Sequence, residues 1–211
     1  ISDGNCGITL YPASNQLIEN NIVENVSICF GEVNGGNLNN EYYGNISIGN
    51  GLSIEARGTT AADMPQNNFI KDFVLINGAM DSISAKNTQL VNVSVFNNGV
   101  TAVRATNNRT PPDISWDGDG VYSFFADNVY VAGANLAFDR ELTFGSMTSL
   151  VDFAGVYNNT TNFSPSGPTT NTKTATINEF GSCRVFVPAS ATTFKGQGKN
   201  SADIGANVLY A

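Results

Sequence analysis

Histidine is absent from this sequence. Cysteine and tryptophan are rare, with three and one residues, and only 13 % of the residues are charged. Structural zinc sites need several cysteine or histidine ligands close together, so the sequence excludes that class of metal site. Lysine and arginine together number 10 against 18 aspartates and glutamates, which gives a net charge of −8 and no visible basic patch. Nucleic-acid binding needs clustered cations, so we expect no nucleic-acid partner.

Long apolar runs are missing as well. No stretch approaches the roughly 18 consecutive apolar residues of a membrane-spanning helix, so no membrane span is expected. Apolar residues nevertheless make up 41 % of the 211 residues, and polarity comes from neutral residues that include 29 asparagines and 21 glycines. This composition is unlike that of a disordered chain. It predicts a single folded domain over residues 1–211.

An irregular repeat runs through the chain. Each copy has an asparagine, then apolar residues that alternate with polar ones, then a closing asparagine or glycine; the copies are residues 15–25, 68–78, 87–97 and 128–133. Alternation with a period of two predicts β-strands. The repeat therefore indicates a series of short strands separated by turns.

The spacing of the repeat predicts how these strands are arranged. Apolar positions recur 26, 26 and 19 residues apart, at Ile22, Ile48, Val74 and Val93. A coil of this length cannot bury its apolar face alone, whereas stacked coils share one interior column. Asparagine tolerates a left-handed backbone at turns, and matching turns of successive coils can form side-chain amide ladders. The sequence thus predicts an all-β solenoid with little α-helix.

Three polar stretches interrupt the repeat and are interpreted as inserted loops. They cover about residues 34–43, 106–120 and 158–173, and the second holds two prolines and the only tryptophan. Long loops on a rigid scaffold often carry function, so candidate site residues are sought there first.

The cysteines predict a disulfide and an oxidising compartment. Cys6 and Cys29 are 23 residues apart, close to one coil. Stacked coils place equivalent residues about 4.8 Å apart, within the range that a disulfide tolerates. We therefore expect a Cys6–Cys29 bridge in a secreted protein, with two buried free thiols as the alternative. Cys183 is left over, either buried or paired with another chain.

Other features bear on secretion. The chain starts at Ile1 without a methionine, which fits a mature chain after signal removal or a fragment. Seven N-x-S/T sequons are glycosylation candidates if the source organism performs this modification: Asn25, Asn45, Asn92, Asn108, Asn158, Asn159 and Asn162.

Two segments resemble a known superfamily. Residues 7–25, GITLYPASNQLIENNIVEN, and residues 183–210, with the core KGQGK followed by DIGAN, resemble secreted bacterial proteins with right-handed parallel β-helix repeats, the pectate-lyase-like superfamily. The resemblance implies a right-handed parallel β-helix, a C-terminal closure over residues 183–211 and a secreted or cell-surface location. Its members include polysaccharide lyases, glycoside hydrolases and non-enzymatic surface proteins, so it implies a fold more than an activity.

No catalytic motif of that superfamily is present. Glycoside hydrolysis needs two carboxylates at a set separation, and the candidates are Asp113, Asp117 and Asp119 in one loop and Asp139 and Glu141 elsewhere. The polygalacturonase pattern is missing, and its histidine cannot exist here. Asp117 and Asp119, each followed by glycine, also resemble a calcium loop, so Ca²⁺ is the one cofactor considered; an acidic glycine turn is the alternative. Candidate sugar contacts are the aromatic residues Trp116, Tyr42 and Tyr43.

The missing catalytic set favours a non-catalytic extracellular structural protein. Uncapped solenoid ends present unpaired strand edges, and end-to-end contacts between such ends give open filaments. We therefore expect a surface or appendage subunit that associates with itself through its ends. The alternative is a carbohydrate-active enzyme, a polysaccharide lyase or glycoside hydrolase, or its polysaccharide-binding β-helix fragment.

Overall fold

The computed structural model describes residues 6–26, 28–33, 37–49, 51–55, 65–83, 87–96, 99–106, 121–141, 146–164, 169–182 and 184–208. These described residues form nineteen strands: β1 Cys6–Leu10, β2 Leu17–Glu19, β3 Ile22–Glu24, β4 Ile28–Val33, β5 Glu41–Tyr43, β6 Ile46–Ile48, β7 Leu52–Glu55, β8 Phe69–Ile76, β9 Met80–Ile83, β10 Thr88–Phe96, β11 Thr101–Thr106, β12 Val121–Asp127, β13 Tyr130–Ala132, β14 Leu136–Glu141, β15 Ser146–Asp152, β16 Gly155–Tyr157, β17 Thr161–Ser164, β18 Thr169–Thr170 and β19 Lys173–Thr174.

The strands form two all-parallel sheets. The seven-stranded sheet has the order β1-β4-β7-β9-β11-β14-β17, and the remaining twelve strands form the second sheet. A third, shorter set of parallel bridges joins Ser14 to Leu38 and Leu38 to Gln66. Among the described residues the helical structure is one 3-10 turn, Lys199–Ser201, and no helix is long and apolar enough to cross a membrane. The predictions of an all-β fold and of little helix are confirmed.

The four predicted strand segments are confirmed, but the register inferred from their spacing is wrong at two positions. Ile22 pairs with Ile46, two residues before Ile48. Val74 pairs with Ser94, one residue after Val93. Since side chains alternate along a strand, a shift of one residue moves a side chain to the other face of the sheet.

One core lies between the two sheets. In β8, Phe73 and Leu75 belong to this core, whereas Val74 in between belongs to a separate cluster on the opposite face. Phe30 of the seven-stranded sheet packs edge-on against Phe73 of the twelve-stranded sheet, with ring centroids 5.1 Å apart. The period-two pattern in the sequence therefore separates an interior face from an outer face of the twelve-stranded sheet.

The C-terminal segment, defined as residues 175–182 and 184–208, covers part of that outer face. Phe180, Val187 and Phe194 pack on Tyr130 of β13, and Ala206 and Val208 pack on Ile46 and Val74. The segment resembles a strap along the side of the sheet. The predicted C-terminal closure thus covers a lateral face.

Asparagine side chains form the predicted amide ladder. The Nδ2 groups of Asn39, Asn67 and Asn87 each donate to Oδ1 of the preceding member, beginning at Asn15, over 3.0–3.1 Å and at sequence separations of 24, 28 and 20 residues. All four backbones are left-handed, with φ between 52° and 57°. Asparagine is among the few residues that adopt this conformation readily.

The predicted Cys6–Cys29 disulfide is absent, and Cys29 is a buried free thiol. Cys6 pairs with Ile28, so the residue in register with Cys29 is Gly7. A Cβ on Gly7 would lie 2.3 Å from the Cys29 carbonyl oxygen, so only glycine fits this close approach. Cys6 and Cys29 are thus one residue out of register, and neighbouring residues of a strand point to opposite faces of the sheet, which prevents the bridge. The separation of 23 residues in the sequence does not reveal this offset. Cys183 lies outside the described residues.

Two of the predicted loops contain strands. The stretch 34–43 includes β5, and the stretch 158–173 includes β17, β18 and the first residue of β19. The backbones of these strands pair with neighbouring strands, which the polarity of their side chains does not indicate. In the third stretch, residues 107–120 lie outside the described residues.

Candidate functional site

Several predicted site residues cannot be placed. Loop residues 107–120 are outside the described part of the chain, and with them lie Asn108, Asp113, Trp116, Asp117 and Asp119. Within the described ranges, no group of three or more cysteines, aspartates and glutamates is arranged to hold a metal ion. The calcium loop therefore stays a prediction.

Asp139 is part of an ion-pair row on the seven-stranded sheet. Arg104 lies between two carboxylates of neighbouring strands, 3.7 Å from Asp139 and 3.8 Å from Asp81. This arrangement joins β9, β11 and β14 across the sheet and gives Asp139 a structural partner. Glu141 ends the same strand, and its side chain is outside the described set.

Tyr42 is not a surface contact, and this prediction is wrong. It is 0 % exposed, and its hydroxyl donates to Oε1 of Glu32 at 3.2 Å. The short strand β5 turns Tyr42 inward and Tyr43 outward, and Tyr43 is 41 % exposed. Of the two adjacent tyrosines, Tyr43 keeps the candidate role.

Glu32 is a carboxyl group in the apolar core. Its Oε1 accepts hydrogen bonds from Asn40 and Tyr42, while its Oε2 has no hydrogen-bond partner. Burial raises the pKa of Glu32 to about 7; the Asn40, Tyr42 and Asn68 side chains lower it by less. Both polar atoms of the buried Asn68 amide lack a hydrogen bond within the ordinary distance and angle limits. This cluster is polar and buried.

The sequons differ in accessibility. Asn45 is fully buried, and its Nδ2 donates to the Ile18 carbonyl at 2.7 Å, so it cannot carry a glycan in this fold. The Asn92 and Asn159 amides donate to Asp72 and to the Val131 carbonyl. Asn162 is partly buried and accepts a hydrogen bond from Asn159. Among the sequons that lie in the described residues, the two with exposed side chains are Asn25 and Asn158.

A second column of left-handed residues borders the outer face of the twelve-stranded sheet. It contains Asn20, Gly44, Asp72, Asn92 and Asn128, with φ between 49° and 64°. Asn92 donates to Asp72, and Asn128 donates to Asn92, each over 3.2 Å. The Lys199 N–H of the C-terminal segment donates to Oδ1 of Asn128 at 2.7 Å. The row of side chains is interrupted at Gly44.

The interruption leaves a recess of about 150 Å³, lined by Asn20, Tyr43, Gly44, Asp72, Asn207 and Val208. We call it the Gly44 recess. Any side chain at Gly44 would enter it, because a Cβ there would lie 2.6 Å from Oδ1 of Asn20. The sheet column and the C-terminal segment thus form opposite walls of one small site.

The charges and donors of the Gly44 recess are mixed. Asp72 is 8 % exposed; burial raises its pKa, and the Asn92 amide, Lys71 and the Asn207 N–H oppose that shift. Lys71 places its Nζ 5.6 Å from the centroid of the Tyr43 ring. The recess therefore combines a carboxylate, two amides and an aromatic ring, and the Lys71 ammonium group lies over that ring. Such a set can bind a neutral ligand with several hydroxyl groups.

Sequence reasoning found Tyr43 but missed Asp72, Gly44 and Asn207. The sequence does contain a signal for this site. Asp72 and Gly44 occupy positions that asparagine holds elsewhere in the column, and such a departure from the repeat indicates a candidate site. That signal becomes readable only once the register is known. Comparison of the chain with protein-family models, with curated proteins and with solved structures gave no match, so its function is argued from this geometry.

Proposed function

We propose that the two parallel sheets are faces of a right-handed β-solenoid, and that the chain is a non-catalytic extracellular structural protein that assembles end to end. Parallel pairing that advances by one layer per coil, a shared interior column and the amide ladder support the solenoid. Right-handedness and extracellular location rest on the resemblance of residues 7–25 and 183–210 to secreted β-helix proteins. Crossover connections between parallel strands are overwhelmingly right-handed, which agrees.

The open sheet edges carry the assembly proposal. Within the described residues, β1 and β17 are the outer strands of the seven-stranded sheet, each with one neighbour. The Thr161 N–H donates inward to the Asn135 carbonyl. Because alternate N–H groups of a strand point to opposite sides, the Asn162 N–H points to the open edge. Such edges pair with further strands unless they are blocked.

A proline at the open edge tests the assembly. Asn162→Pro removes one outward N–H and leaves the inward hydrogen bonds of β17 in place, as edge prolines do. We expect filaments or a concentration-dependent mass for the unmodified chain and for Asn162→Ala, which keeps the N–H, and single particles for Asn162→Pro. Electron microscopy and sedimentation measure this. A chain that stays monomeric at high concentration, with all three proteins alike, contradicts the proposal.

A second function is favoured by the Gly44 recess, namely binding of a polysaccharide. Tyr43 offers a half-exposed aromatic face, and Asp72 and Asn20 offer hydrogen-bonding groups beside it. Flat rings with hydroxyl edges match this combination. The recess is smaller than a typical ligand pocket, so it would hold one unit of a longer chain.

Variants of the recess test this second function. Tyr43→Ala is expected to weaken polysaccharide binding in affinity electrophoresis at least tenfold, whereas Tyr43→Phe keeps the ring and the binding. A parallel assay for new reducing ends and for unsaturated products examines turnover, and the variant Asp72→Asn tests whether the carboxylate takes part in it. Binding that Tyr43→Ala leaves unchanged excludes the recess, and turnover lost in Asp72→Asn would instead assign an enzyme.

A further inference from the structure

A second recess lies between the twelve-stranded sheet and the first part of the C-terminal segment, which contributes Asn178, Gly181 and Arg184 to its walls. Its volume is about 150 Å³, and its walls include Phe96, Ala132, Tyr157 and Arg184. We call it the aromatic recess. It is separate from the sheet edges and from the Gly44 recess, so it bears on neither function proposed above. A cavity of about this volume holds one benzene-sized ring.

The sheet register explains the shape of the aromatic recess. Phe96 pairs with Ala132 across β10 and β13, and Ala132 pairs with Tyr157 across β13 and β16. Two aromatic residues therefore flank one small residue in a single row. Neighbouring strands are about 4.8 Å apart, so a ring above Ala132 would lie at a similar distance from each flanking position. Favourable aromatic pairs have centroid separations of roughly 4.5 to 7 Å.

One cation borders the aromatic recess. Cζ of Arg184 lies 5.5 Å from the centroid of the Phe96 ring. Among the described residues no carboxylate lies within salt-bridge distance of Arg184, although the chain as a whole is acidic. Guanidinium groups bind carboxylates through paired hydrogen bonds. The recess thus joins an aromatic slot to a carboxylate-binding group.

We propose that the aromatic recess binds an aromatic carboxylate, with the ring above Ala132 between Phe96 and Tyr157 and the carboxylate on Arg184. The ring completes the interrupted aromatic row. The carboxylate would pair with the Arg184 guanidinium, which no carboxylate of the described residues reaches.

Calorimetry or NMR titration with benzoate tests the site, on protein made without N-glycosylation because Asn158 lies at the rim. The neutral analogue benzamide and the non-aromatic ring acid glucuronate are the comparison probes. We expect benzoate to bind more tightly than either. Arg184→Gln should weaken benzoate at least tenfold and leave benzamide unchanged, and Lys173→Gln is the matched control for the loss of a positive charge.

Other results overturn the proposal. If Arg184→Gln weakens benzoate and benzamide equally, Arg184 shapes the recess without binding the carboxylate. If glucuronate binds as tightly as benzoate, the recess does not select an aromatic ring, which contradicts the proposal. Ala132→Leu, which fills the slot, must abolish binding if it folds; should it not fold, the comparison of Arg184→Gln with Lys173→Gln decides alone. Absence of benzoate binding to the unmodified chain refutes the site.

Discussion

At the scale of single residues, the most unusual group is a carboxyl within an apolar core. Glu32 is 0 % exposed and lies among core residues such as Phe30. Its Oε1 accepts two hydrogen bonds, and its Oε2 accepts none. A carboxyl with one such free oxygen is better suited to the protonated form, because a buried ion without full hydrogen bonding is costly.

Glu32 makes stability depend on pH in a defined direction. Below pH 4.5, its ordinary pKa, the carboxyl is protonated in both the folded and the unfolded chain. Between pH 4.5 and about 7 the unfolded chain gives up the proton first, so the free energy of unfolding falls as the pH rises. Above pH 7, the approximate pKa of Glu32 in the folded chain, the decrease in the free energy of unfolding levels off at about 3 kcal/mol.

Glu32→Gln should remove this dependence. We expect the variant to be more stable than the unmodified chain at pH 8, and no more stable at pH 4, in urea unfolding followed by circular dichroism. Glu41→Gln, on the exposed side of β5, is the control for removal of a charge. An unchanged pH profile in Glu32→Gln would show that folding does not shift the pKa of this carboxyl.

At the scale of elements, the turns are held by asparagine ladders. Each inner member supplies a left-handed backbone and two side-chain hydrogen bonds, one to each neighbouring turn, as Asn67 does with Asn39 and Asn87. Asparagine thus provides both the left-handed backbone, which glycine could also adopt, and the side-chain hydrogen bonds, which glycine could not make. The ladder is exposed, so each hydrogen bond contributes only about 1 kcal/mol.

Two substitutions separate these tasks. Asn67→Gly keeps the left-handed backbone and loses the ladder, and we expect about 1 to 2 kcal/mol of lost stability. Asn67→Ala also has to adopt the strained backbone, which costs roughly a further 1 to 2 kcal/mol. Urea midpoints should therefore decrease from the unmodified chain to Asn67→Gly to Asn67→Ala.

Asn25→Gly is the control for the ladder, because Asn25 has a left-handed backbone of φ 57° but no side-chain hydrogen bond to another described residue. It should lose less stability than Asn67→Gly. Equal losses at the two positions would mean that the amide ladder adds nothing to the fold.

At the scale of the whole molecule, the C-terminal segment turns an outer sheet face into a second core. Tyr130 stacks on Phe180 with centroids 4.2 Å apart and meets Phe194 at 4.9 Å. The segment is further fixed by its backbone, since the Ala206 N–H donates to the hydroxyl of Ser94 and the Gly205 N–H donates to the Asn128 carbonyl. Both recesses exist because this segment lies on the sheet.

Phe194→Ala should loosen the segment while the strands remain. Truncation of a buried phenylalanine costs about 3 to 5 kcal/mol, and here the loss falls on contacts between the segment and β13. We expect faster proteolytic cleavage within residues 175–208 and an unchanged far-ultraviolet strand signal. Phe186→Ala, at a position 39 % exposed, should have little effect. Loss of all strand signal in Phe194→Ala would show that segment and sheets unfold as one unit.

The candidate sites were predictable only in part. Tyr43 was found because an exposed aromatic residue is visible in the sequence, but its neighbour Tyr42 shares the same local pattern and is buried. Asp72 and Ala132 acquire meaning only from the residues above and below them in the sheet. Their partners are 20 or more residues away in the sequence. At that distance the number of intervening residues does not tell which residues come into register on the same face of the sheet.

By itself, the sequence determined the strand character, the asparagine turns and the single alternating interior face, because each depends on residues that are close along the chain. Only the tertiary structure decided the register, the free state of Cys29, the burial of Glu32 and the position of the C-terminal segment. These depend on which layer a residue meets, and a shift of one residue in a parallel pairing exchanges the inside of a strand for its outside.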